Sequence, residues 1–176
     1  SLTLTALFST DAQCRSGVSL HQKLLTDIET QKTGNFDNLI LRWKEIYGEK
    51  AAKPLFLIAR DSQKPEKTRT IAILGASELS TPKDPFFFSQ LKNLLRDRNW
   101  LVRFSAIKGL EKIQSHEALE SVAEKLQDHA LVVRTQAAES IARMAQKNPK
   151  LGNQKTFRKL SQSLSNPINY HQGKAL

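Results

Sequence analysis

Asp97-Arg98-Asn99-Trp100-Leu101-Val102-Arg103, followed by Ala106-Ile107 and Leu110, is written a second time as Asp128-His129-Ala130-Leu131-Val132-Val133-Arg134, followed by Ala137-Ala138 and Ile141. Each matched pair is 31 residues apart, from Asp97 and Asp128 through Arg103 and Arg134 to Leu110 and Ile141. A fixed period of this size marks a repeat architecture, in which each unit buries its apolar face only by stacking on its neighbours. Asp97 and Asp128 stand where an N-cap or a turn acceptor is wanted, just ahead of an apolar-periodic run. In the first run Ala106, Ile107, Leu110 and Ile113 fall on one helical face. In the second the matching face is Ala137, Ala138, Ile141 and Ala145, whose small side chains let a neighbouring helix approach closely.

The pattern extends both ways. Upstream, Arg69-Thr70-Ile71-Ala72-Ile73-Leu74-Gly75 matches Arg103-Phe104-Ser105-Ala106-Ile107-Lys108-Gly109 at an offset of 34, so the Asp61 loop with Lys64-Pro65-Glu66 carries extra residues. Downstream, Leu164-Ser165-Asn166-Pro167 sits like Leu126-Gln127-Asp128-His129, with Gln172 where an arginine is expected. The phrase resembles the HEAT repeat, especially the short version shared with the phycobilin-lyase-like proteins. That family repeats a helix pair in which Asp ends the link and Val-Arg opens the second helix. The resemblance covers residues 50 to 165 and barely reaches the first 50. It implies an all-α fold, an α-solenoid (superhelix) of antiparallel helix pairs, and a non-enzymatic scaffold for binding macromolecules.

The expected layout is an N-terminal arm or leader remnant over residues 1–17 and a single HEAT-like domain over 18–176. Within that domain, 18–48 reads as a capping helix pair, 50–80, 84–114 and 116–147 as repeats, and 153–176 as a half repeat and tail. In the cap, Leu20, Leu24, Leu25 and Ile28 stripe a helix from Val18 to Gln31 that Gly34 closes. Phe36, Leu39, Ile40, Trp43 and Ile46 stripe a second, from Phe36 to Tyr47, with Trp43 as core. It lacks the Val-Arg phrase, as a solubilising cap does. Further helices are expected at 51–60, with Pro54 inside the first turn, and then at 67–79. After the Thr81-Pro82-Lys83-Asp84-Pro85 break, one opens on Phe86-Phe87-Phe88 and another starts near Trp100. The last three span 117–127, 131–146 and 154–164.

With 176 residues, 39% apolar and 25% charged, the chain has ordinary globular composition and enough length for one sizeable core. Cys14 is the only cysteine, which excludes an intramolecular disulfide and a thiolate metal cage. No stretch reaches the ~20 apolar residues of a membrane span. Leu2 to Phe8, followed by Ser9-Thr10-Asp11-Ala12-Gln13, reads either as the tail of a secretory signal with Ala12 at the cleavage position or as an arm on the first repeat. A basic n-region is missing. The expected location is soluble, in the cytoplasm or exported to an envelope compartment.

The candidate chemistry is sparse. His21, His116, His129 and His171 have no metal-ligand spacing, and no P-loop, GxGxxG or GxSxG occurs. No catalytic residue, metal site or cofactor is expected. Arg69, Arg103 and Arg134 could form an anion ladder, but each sits early in an inner helix near a loop aspartate. A planar fork of donors suits bracing loop carbonyls and carboxylates there. Glu111, Glu117, Glu120 and Glu124 read as a solvated acidic helix edge.

Charge supplies the remaining lead. The net charge is +10, yet residues 1–50 carry six basic and six acidic side chains, while 151–176 carry four basic and none acidic. Five residues after each arginine come Leu74, Lys108 and Glu139; nine after come Glu78, Lys112 and Arg143. That register gives a mixed inner surface. The basic excess falls at Lys147, Lys150, Lys155, Arg158 and Lys159, where no acid stands nearby in sequence, beside Phe157 and Leu160. This cluster is the candidate docking site for a protein with an acidic surface. The alternative is a nucleic-acid-binding protein using the same basic C-terminal surface. A HEAT-like DNA glycosylase or a chromophore lyase is more remote, because no groove cluster of either kind emerges. A monomer is favoured.

Overall fold

The computed structural model describes residues 18–31, 36–152 and 154–164. Cys14, Gly34, Asn166, Gln172 and Lys174 lie outside them, as do the leader, tail and Phe157 side-chain readings. Among the described residues the chain is helical throughout and has no strand. The helices are α1 (Leu20–Thr30), α2 (Phe36–Tyr47), α3 (Ala52–Arg60), α4 (Glu66–Leu79), α5 (Pro85–Leu94), α6 (Trp100–Leu110), α7 (His116–Ala123), α8 (Leu131–Lys147) and α9 (Gln154–Leu164). This is an all-α solenoid. α3 packs on α4, α5 on α6 and α7 on α8, and the second helices stack on one another as α2, α4, α6 and α8.

Local chemistry starts the helices. The Ser19 and Ser115 hydroxyls accept from the N–H groups of Gln22 and Ala118, at 3.2 and 3.1 Å. Asp84 accepts from Phe86 N–H at 2.9 Å, with Pro85 at the first helical position, where its missing N–H costs nothing. Asp97 and Asp128 are turn acceptors, taking the N–H groups of Asn99 and Ala130. Asn99 is the N-cap of α6, its side-chain oxygen accepting from Leu101 N–H at 2.8 Å.

The core runs continuously along the stack. Trp43 is fully buried, and its indole N–H donates to Asp27 at 2.8 Å. Of the three consecutive phenylalanines, Phe87 is fully buried, while Phe86 and Phe88 are partly buried and pack against the core. Phe86 meets Phe56 edge-on, with ring centroids 6.1 Å apart, and so joins α5 to α3 of the preceding pair.

One position recurs six residues after each repeat arginine: Gly75, Gly109 and Ser140. There each inner helix meets the one before it. A Cβ on Gly75 would lie 2.8 Å from the Trp43 ring, and one on Gly109 would lie 2.5 Å from Ser77 Oγ and 2.8 Å from a Leu91 methyl. Ser77 Oγ already donates to Ile73 O at 2.7 Å, so it cannot turn aside freely.

Three expectations change. Ala138 is exposed, although its counterparts Ile107 and Ile73 are fully buried. Among the described residues no further inner helix covers α8, so its buried face is Val133, Gln136, Ala137, Ser140, Ile141 and Met144 instead. The helix expected over 117–127 ends at Ala123 and tightens into a 3-10 turn, Glu124–Gln127, leading to the Asp128 turn. Ile46 is exposed rather than in the α2 stripe.

Gly109→Val is expected to lower stability by roughly 1–3 kcal/mol through overpacking between α4, α5 and α6. Thermal unfolding checks it. An unchanged or higher Tm would show that the inner helices are not in close approach at this position.

Candidate binding surface

Arg69 and Arg103 each do two jobs at once. Arg103 Nη1 donates to the carbonyls of Asp97 and Arg98 in its own loop, at 2.9 and 3.0 Å. Its Nε and Nη2 reach forward to both carboxylate oxygens of Asp128 in the next repeat, at 2.9 and 2.8 Å. Arg69 repeats the device. Its Nε donates to Ala59 O at 2.8 Å, and its two terminal nitrogens grip Asp97. Arg134 braces its own loop through the Asp128 and His129 carbonyls at 2.8 and 3.3 Å. The side chains of Arg103 and Asp128 are each only 3% exposed.

Burial disfavours ionised Asp97 and Asp128, but the arginine forks and the Asn99 and Ala130 N–H groups outweigh it and hold both carboxyls below their ordinary 3.8. Lys125, 3.9 Å from Asp128, is pushed down, by burial first and by the nearby Arg103 and Arg96 charges, against the pull of Asp128.

The inner helices line a groove of about 650 Å³. Phe36, Ile40, Leu41 and Leu74 make one end apolar, and Leu41 is 56% exposed there. Charged residues fill the rest in rungs. Lys112 pairs with Glu78; Arg143 donates to both carboxylate oxygens of Glu111, at 2.9 and 3.0 Å, and pairs with Glu139 at 3.4 Å. Burial opposes ionisation of Glu111, and Arg143 and Ser140 override it, so its carboxyl lies below the usual range. The guanidinium of Arg143 is held more basic in return, chiefly by its hydrogen bond to Glu111. Two groove cations, Lys44 and Lys108, have no ion-pair partner among the described residues. The Lys108 ammonium rests over the Phe104 ring at 5.6 Å.

The C-terminal cluster differs from its sequence reading. Lys147, Lys150 and Arg158 are exposed and Lys159 is half-buried, but Lys155 pairs with Glu120 at 3.3 Å. It is therefore not unopposed. The same contact engages one member of the supposed acidic edge, and Glu111 leaves that edge altogether, because it caps α6 and turns to α8. The signal for these pairs was the repeat period itself. Glu78 and Lys112, Glu111 and Arg143, and Glu120 and Lys155 are 34, 32 and 35 residues apart.

A family model described as HEAT repeats matches residues 52–142 and 88–167. The chain belongs to the HEAT-repeat family. No curated protein matches it. The forward arginine–aspartate pairs join the HEAT units over the matched span, and the stacked second helices form its groove face. Among the described residues no three His, Cys, Asp or Glu side chains group as metal ligands, and no helix is long and apolar enough to cross a membrane.

Arg103→Ala leaves the buried Asp128 carboxylate without its fork, which is expected to cost roughly 3–5 kcal/mol. Lys108→Ala, on the exposed face of the same helix, should stay within about 0.5 kcal/mol. Equal melting temperatures would remove the structural role from Arg103. Acid titration is the companion test. Asp97 and Asp128 titrate lower in the folded chain than unfolded, so their stabilisation is complete well above 3.8 and is lost as pH falls through their folded values. Tm should hold between about pH 7 and 5 and drop below about pH 4. Asp128→Asn should start lower and fall less steeply.

Proposed function

We propose that this protein is a non-enzymatic binding scaffold that holds a segment of a partner protein in the inner groove. The observation that carries the reading is the groove's division. Its acids Glu78, Glu111 and Glu139 are already paired within the chain. Lys44 and Lys108 line the same groove as Ile40, Leu41 and Leu74 without a salt bridge among the described residues, Lys108 feeling only the longer-range charge of Glu111. An occupant that places an apolar side chain on Leu41 and a carboxylate between the two lysines satisfies both. Asp37 at the same end sets a limit on how acidic that occupant can be. The exposed Lys147, Lys150 and Arg158 at the other end of the stack add long-range attraction for an acidic protein rather than a contact. HEAT repeats commonly form scaffolds of this kind, which agrees with the reading without identifying the partner.

Partner capture from native lysate, read by mass spectrometry, supplies the binder for a direct test. Leu41→Asp combined with Lys108→Glu should weaken its affinity about tenfold or more, the equivalent of ~1.4 kcal/mol. Parent affinity should also fall as salt rises. A double variant that captures the same proteins with the parent's affinity would place docking outside the groove.

A further inference from the structure

A second cavity, of about 680 Å³, opens on a different face, between the loops that join α3 to α4 and α5 to α6. It is lined by Ser62, Gln63, Lys64, Arg96, Arg98 and Asn99 among others, and is mainly polar. Its interior keeps one carboxylate, Glu66, that no cation balances among the described residues. Arg69 and Asp97 take each other, and Glu66 accepts from the Asn99 amide at 2.6 Å. The positive charge left over is peripheral. Arg96 and Arg98 are exposed and have no ion-pair partner among the described residues, and Lys64 reaches only Glu29, at 3.7 Å. Lys125 stands close enough to Arg96 to feel its charge.

Two residues after Arg98, at the start of α6 and outside the cavity's lining, stands Trp100, 44% exposed. The contrast with Trp43 is informative, since that indole is fully buried and hydrogen-bonded. An indole left in water costs free energy unless something covers it. Leu131 and Val132, one repeat further on and also exposed, continue the apolar line at the start of α8.

We propose that this loop face binds single-stranded nucleic acid, with Arg96, Arg98 and Lys64 on consecutive phosphates and Trp100 stacked against a base. Guanidinium forks match phosphate oxygens, and an exposed indole offers a sequence-tolerant platform for any base. A duplex keeps its bases stacked on one another and offers Trp100 nothing to cover it. An acidic peptide would use the cations but has no general need of the indole. The chain's net charge of +10 favours the encounter.

The full chain is titrated with a labelled oligothymidylate of about 20 nucleotides, read by anisotropy and by tryptophan emission. Binding is expected with quenching of Trp100, which Trp100→Ala abolishes while weakening affinity about tenfold. Arg96→Gln/Arg98→Gln should weaken it at least about tenfold and lower the slope of log K against log salt by about 1.4, from roughly 0.7 per phosphate contact. Lys147→Gln/Lys150→Gln, with the same charge change elsewhere, should lose less than about threefold. Equal losses in the two charge pairs would overturn the proposal. So would binding without quenching, tighter binding of a duplex, or a polyglutamate peptide that binds as well as the oligonucleotide and marks the face as a protein site.

Discussion

The fork from Arg103 to Asp128 is the interaction on which the stacking depends. It is buried on both sides, and both carboxylate oxygens are used. Two buried charges are tolerated only when geometry and hydrogen bonding are nearly complete, so the pair forms in one register of one repeat on the next. The same guanidinium also satisfies two carbonyls of its own loop, which ties the start of its helix to the link between the two helices of the following repeat. Arg69 makes the equivalent connection to Asp97, and the link before its helix, 61–65, has the same five residues as the link 95–99 before α6, so the Asp61 loop does not carry the expected extra residues. The longer spacing from Arg69 to Arg103 comes from α4, which continues to Leu79, about one turn further past its arginine than α6 continues to Leu110.

Close approach of the inner helices is the second constraint, and it builds the groove. Gly75 receives the Trp43 ring and Gly109 receives Ser77 and Leu91, so each inner helix can settle against its predecessor. Ser140 takes the same place in α8 and uses its hydroxyl on Glu111 at 2.7 Å. Helices held this near bring residues about one repeat apart within ion-pair reach. The rungs Glu78–Lys112 and Glu111–Arg143 are the result. They neutralise the middle of the groove and leave Lys44 and Lys108 as the groove cations that make no salt bridge among the described residues.

The basic character of the chain is thus divided by the fold. Some of it is absorbed in forks and rungs, some stays at Lys147, Lys150 and Arg158, and some gathers at Arg96 and Arg98. The groove and the loop face lie on different parts of the repeat. One is formed by the sides of second helices, the other by the links between helices. A partner on one need not obstruct the other.

The sequence by itself determined the all-helical repeat architecture, because a period of 31 with matched aspartates, arginines and apolar positions has few other physical meanings. Helix starts were equally legible where Ser, Asp and Pro give local signals that act within one turn. Tertiary structure alone decided which charges survive as free. Lys155 looks unopposed along the chain and meets Glu120 in space, while Arg98 has nearby acids in sequence and none as a partner among the described residues. It also decided that Ala138 is surface and Ile107 core, although both occupy the same register. Periodicity reports which face a helix can bury. Only the presence of a neighbour decides whether that face is buried, and ion pairing between repeats follows the same rule, because both depend on distances that sequence spacing does not contain.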